Sequence, residues 1–151
     1  MGTIMEFATE KQIASFLSTC RIEGQKNFLM AFKKKTWLKS FIDFFIIGGT
    51  YYVQSSVKPK ILAFTPKGIY LMDISDVTEN RSNQVLEMPW NQVQDFTYQT
   101  VLNTVRLNWN YQNEAYIFSV DVGQISQHVG QYQFNKDYYD YLAQHDFFRS
   151  K

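Results

Sequence analysis

"KPKILAFTPKGIYLMDI", residues 58–74, is the stretch on which the fold turns. Two short apolar runs meet at Thr65-Pro66-Lys67-Gly68. Proline presets φ at the first corner of a turn, and glycine tolerates positive φ at its close. The stretch therefore predicts a tight hairpin with strands at about 59–65 and 68–74. It lies directly after the most basic region of the chain.

Strand signals continue on both sides. Upstream, "KNFLMAF" predicts a first strand at about 27–33. Downstream, "SDVTENRSNQ" reads as a polar loop. "VLEMPW" then starts a strand with Leu86 and Met88 on one face, and Pro89 restricts it to an edge or a bulge. "NQVQDFTYQ" continues as a strand near 92–99. "TVRLNWN" alternates, with Val105, Leu107 and Trp109 on one face and Arg106, Asn108 and Asn110 on the other. "YQNE" turns the chain, and "AYIFSVD" returns with Tyr116, Phe118 and Val120 on one face. About seven strands at hairpin spacing predict an antiparallel, mainly β barrel or sandwich.

Helical signals flank the strands. Thr9-Glu10-Lys11-Gln12 is a capping box. Ile13, Phe16, Leu17 and Cys20 follow at the spacing of one helix face, which predicts a helix over 10–20. At the other end Asn135 is read as an N-cap, with Asp137 in the first turn. Tyr138, Tyr141, Leu142 and Phe148 then share a face of a closing helix near 135–148, suited to plugging an open barrel end. Trp37, Phe41, Phe44 and Phe45 have helical spacing before Gly48-Gly49 and read as a buried or half-buried connection. "VGQISQHVGQYQF" shows no clear period. At 151 residues the chain is expected to form a single domain, 1–151. Residues 1–25 would be a helical extension, and 26–148 the barrel with its C-terminal helix.

Composition narrows the chemistry. Aromatics are 17% of the chain, with 13 Phe and 10 Tyr against 3 Pro and 7 Gly, as in a folded protein. Cys20 is the only cysteine, which excludes an internal disulfide and argues against a Cys-based metal site. "MGTIMEFATEKQ" has no leader pattern, and Glu6 stands where a myristoylation signal requires Ser or Thr, so the expected location is cytoplasmic. No G-x-S-x-G occurs, and Gly48-Gly49 lacks the Lys-Ser/Thr of a phosphate loop. His128 and His145 have no cysteine near them. Asp73 and Asp76 read as turn formers. No catalytic residues, metal or cofactor are expected.

The net charge of +1 is unevenly spread. Between residues 26 and 67, eight lysines (Lys26, Lys33, Lys34, Lys35, Lys39, Lys58, Lys60, Lys67) face one acid, Asp43. From Gly68 onward, five basic residues face ten acids. If the end of the first strand and the start of the hairpin share a rim, then Lys33, Lys34, Lys35, Trp37, Lys39, Lys58 and Lys60 form a candidate anion-binding patch. The alternative is a solvated strand end. The acidic second half argues against nucleic acid. A barrel rich in Phe and Tyr suits a small apolar ligand, but a small barrel is usually filled by its own side chains.

"KILAFTPKGIYLMD" is similar to the hairpin of bacterial pleckstrin-homology-like domains, and "VLEMPWNQVQDFTYQ" resembles the block that follows it. With the final helix, the resemblance covers about 27–148. It implies a helix-capped antiparallel barrel without enzymatic chemistry, acting through a protein partner or self-association, since bacterial versions include ring-forming oligomers. In eukaryotic relatives the loop after the first strand often binds inositol phosphates. That implies an alternative role for Lys33, Lys34, Lys35 and Lys39 at an anionic membrane or phosphate-bearing ligand, although no Arg partner accompanies them here. A carrier of small apolar ligands is the second alternative.

Overall fold

Thr9 opens the first described helix. Its hydroxyl accepts the Gln12 N–H at 3.1 Å, and the Gln12 side chain accepts the Thr9 N–H at 2.9 Å, which satisfies two amides a helix start leaves bare. The computed structural model describes residues 8–33, 59–123 and 134–149. Helix α1 is Glu10–Thr19. Strands β1 (Phe28–Lys33), β2 (Pro59–Thr65) and β3 (Gly68–Asp73) precede a short helix α2 (Ile74–Thr78). Strands β4 (Leu86–Pro89), β5 (Val93–Val101), β6 (Thr104–Tyr111) and β7 (Glu114–Asp121) follow, and helix α3 is Phe134–Gln144. The predicted connection around Trp37–Phe45 and the stretch at 124–133 lie outside the described residues.

The fold is mainly β, as expected. Seven antiparallel strands form one sheet in the order β4-β3-β2-β1-β7-β6-β5. Among the described residues it is two meanders joined where β7 returns to β1, and it is not closed: β4 and β5 are its edges. Pro89 sits on edge strand β4, where a missing N–H is tolerated.

The two strand patterns have different physical causes. In β1–β3 the register puts Phe28, Ala63 and Tyr70 on one face, and Leu29, Leu62 and Leu71 on the other. Most residues of both faces are buried. Helices α2 and α3 pack against these strands. On the opposite face, Phe64 meets Phe96 and Phe147. Strands covered on both sides require unbroken apolar runs, hence "ILAF" and "GIYLM". Strands β6 and β7 are covered on one side and alternate: Val105, Leu107, Trp109, Phe118 and Val120 are almost completely buried, while Arg106 is exposed.

Among the described residues β7 pairs with β1 at Phe32↔Ser119 and Lys33↔Phe118. Continuing that register would bring Met30 opposite Asp121, and there the Asn135 side chain intervenes. Its carbonyl accepts the Met30 N–H at 2.9 Å. Its amide donates to the Met30 carbonyl at 3.0 Å and the Asp121 carbonyl at 3.2 Å. Asn135 is therefore no N-cap: it lies inside α3, 1% exposed, completing the ladder in place of a peptide group.

Three further expectations are corrected. "SDVTENRSNQ" is not wholly a loop: Ile74 and Val77 are buried on α2, which packs on α1, and Ser82–Gln84 forms a 3-10 turn. Gly68 does not have positive φ; among described glycines only Gly24 does. Gly68 is required for close approach, because a Cβ there would lie 2.3 Å from the Met88 carbonyl oxygen of β4. The closing helix ends at Gln144, and Phe147, not Phe148, is the fully buried residue beyond it.

Two outcomes follow. Gly68→Ala forces β4 away and should cost about 2 kcal/mol in urea denaturation, whereas the exposed Lys67→Ala should leave the midpoint unchanged. Asn135→Ala strands buried backbone groups on Met30 and Asp121 and should cost about 3 kcal/mol in the same measurement.

Candidate functional site

The basic patch is described at two positions. Lys34, Lys35, Trp37, Lys39 and Lys58 lie outside the described residues. Lys33 ends β1, and Lys60, near the start of β2, stands opposite Ala31. The two lysines thus share a face and an end of the sheet. Each is engaged by a carboxylate. Lys33 Nζ lies 3.8 Å from Glu114 and 5.0 Å from the centre of the Tyr116 ring. Lys60 pairs with Asp73, its cross-strand neighbour. Burial, followed by hydrogen bonding to Glu114, pushes the Tyr116 phenol up to about 12, so it stays neutral beside the pair. Here β3 and β7 supply an acid for each lysine, so these two positions present no concentrated positive field.

The residues considered for chemistry have structural partners. The Asp73 N–H donates to Asp76 Oδ2 at 3.1 Å. Asp76 Oδ1 lies 3.4 Å from Arg81 Nε. These contacts fasten the start and end of α2. The His145 imidazole donates from Nδ1 to the Tyr141 carbonyl at 2.8 Å and stacks on Phe148; His128 lies outside the described residues. Among the described residues no group of three His, Cys, Asp or Glu side chains could hold a metal, and no helix is long and apolar enough to cross a membrane.

The space between the meanders is occupied. Trp109 stacks on Tyr116 and Phe118 at 5.6 and 5.4 Å, and its indole N–H points to the Met88 sulfur at 3.3 Å. Phe64, Phe118, Phe147 and Trp109 are all under 2% exposed. These side chains take the volume a carried ligand would need. An open groove of about 690 Å³ lies beside α1. Leu17, Ile22 and Phe28 line it, with both acids and bases alongside. Tyr138 crosses it to donate to the Glu10 carboxylate. No set of polar groups converges on one point there.

The sheet edges differ from one another. β4 is four residues long and carries Glu87 and Pro89. β5 is nine residues long. Its first half is guarded by a bulge at Asp95, where φ is 57° and two residues oppose Trp109. Arg149 donates there to the Phe96 carbonyl at 3.3 Å. The second half, Thr97–Val101, has no bulge, proline or charged residue. It runs into Leu102, which is 93% exposed. Residues 96–105 contain no charge, a sequence signal that gains meaning only once β5 is known to be an edge.

Cys20 caps the C-terminal end of α1. It is partly buried, and burial pushes its thiol up from the ordinary value. A raised value leaves less thiolate at pH 8, so iodoacetamide should alkylate Cys20 several-fold more slowly than it alkylates free glutathione.

No protein-family model, curated protein or solved structure matches the chain.

Proposed function

We propose that this chain is a non-enzymatic, pleckstrin-homology-like assembly module that associates with a second copy of itself by pairing β5 with β5. The observation that carries this reading is that, among the described residues, Thr97–Val101 is an unguarded edge in a sheet whose other edge segments are blunted. Natural edge strands are usually kept apart by lysine, proline, bulges or short length. Antiparallel pairing about Gln99 sets Gln99 against its symmetry mate and Thr97 against Val101. The row contains no like charges and is self-complementary, as a two-fold interface requires. It also brings the exposed Leu102 over the partner strand. A five-residue strand pair is small beside a standard interface of about 1,600 Å², so the association should be concentration-dependent rather than obligate.

Sedimentation velocity across micromolar to millimolar concentrations tests this. The wild-type chain should pass from monomer to dimer. Gln99→Lys places two ammonium groups opposite each other and should weaken association at least tenfold. Its melting temperature should not change, because Gln99 is exposed on the edge. A wild-type chain that stays monomeric throughout, or a Gln99→Lys dimer of unchanged affinity, overturns the proposal.

A further inference from the structure

The backbone after α3 adopts a conformation its residues do not favour. Asp146, Phe147 and Phe148 have φ of 50°, 56° and 57°. None is glycine, so each Cβ crowds the neighbouring carbonyl in this left-handed region. Such a run persists only where surrounding contacts enforce it. Here they are tertiary. Phe147 is completely buried, with ring centres 4.6 Å from Tyr98, 5.0 Å from Phe64 and 5.3 Å from Phe96. Arg149 closes the segment: it donates to the Phe96 carbonyl at 3.3 Å and to the Asp146 carboxylate at 2.6 Å, with its guanidinium 5.2 Å from the Phe96 ring centre.

Phe96 and Tyr98 belong to β5, so the strained segment is fastened to the edge strand. No proline or glycine interrupts residues 134–149, and the same sequence is compatible with continuing α3 as a right-handed helix. Two arrangements compete. In one, buried Phe147 compensates for the left-handed turn. In the other, α3 is longer and unstrained, Phe147 leaves the mouth of the core, and the Phe96 carbonyl is free.

We infer that residues 145–149 are a releasable strap. Docked, the strap masks the Phe96 end of the β5 edge; released, it exposes that end to the β5 strand of a second copy. This inference rests on β5 being the assembly edge. The strain lowers the cost of release, and the aromatic mouth and Arg149 set the threshold.

Hydrogen exchange on the full chain, read by mass spectrometry, tests release. Phe147→Ala removes the anchor; Arg149→Met cuts the tie to Phe96 and leaves the buried ring in place. Both should speed exchange at least tenfold in residues 145–149 and 93–98, with β6 and β7 unchanged. Both should also tighten self-association about tenfold in sedimentation. Acceleration in β6 and β7 equal to that of the strap in both variants would make the segment part of the global core and overturn the inference. Local acceleration with unchanged self-association would overturn the guarding role. A wild-type chain that never associates would instead overturn the β5 reading, a failure distinct from that of the strap.

Discussion

The amide of Asn135 stands where a peptide group of a continuous ladder would stand. Among the described residues, Phe32 and Lys33 are the part of β1 that pairs directly with β7. Beyond those residues Asn135 satisfies Met30 and Asp121 together. A buried backbone group without a partner costs about 1–3 kcal/mol, so a gap here would be expensive. Because a side chain fills it, the strands can diverge without stranding their amides, and α3 is fixed against β1.

The divergence makes room for the core's aromatic contents. Trp109 and Phe118 fill the space from β6 and β7, Phe64 from β2 and Phe96 from the bulge of β5. Phe147 enters from beyond α3. The outer face of β1–β3 is covered at the same time, with Phe28 meeting Phe134 and Tyr138 of α3 edge to face. With β1–β3 covered on both sides and β6–β7 on one, the described interior is filled by the protein's own side chains.

Electrostatics among the described residues is local and balanced. Lys33 with Glu114, Lys60 with Asp73 and Arg81 with Asp76 each join neighbouring segments of chain. The two lysine pairs are exposed enough to contribute about 0–1 kcal/mol each, whereas Asp76 is buried. Their effect on the surface is to cancel charge at the described part of the rim. The uncharged stretch from Phe96 to Val105 is the contrasting feature, and it falls on the longer edge of the sheet.

Local sequence by itself determined the elements. The Thr9 capping box, the Ile13-Phe16-Leu17 stripe, the 59–73 hairpin and the alternation of β6 and β7 act over a few residues, and each appears where the sequence places it. Pro89 announced its edge position because a missing donor has no place inside a ladder. What neighbours decide was not legible. Gly68 signalled a turn, yet its need for glycine comes from the β4 backbone crossing beside it. Asn135 has the side chain of an N-cap, but β1 and the end of β7 lie within its reach and claim all of its bonds. Phe148 fitted the helical period, but the demand of the Phe64–Phe96–Tyr98 cluster for a ring pulls the backbone left-handed and buries Phe147 instead. The candidate edge was invisible for the same reason: a run of uncharged residues gains meaning only when strand order leaves one side of β5 without a neighbouring strand among the described residues, and strand order arises from contacts between residues far apart in the chain.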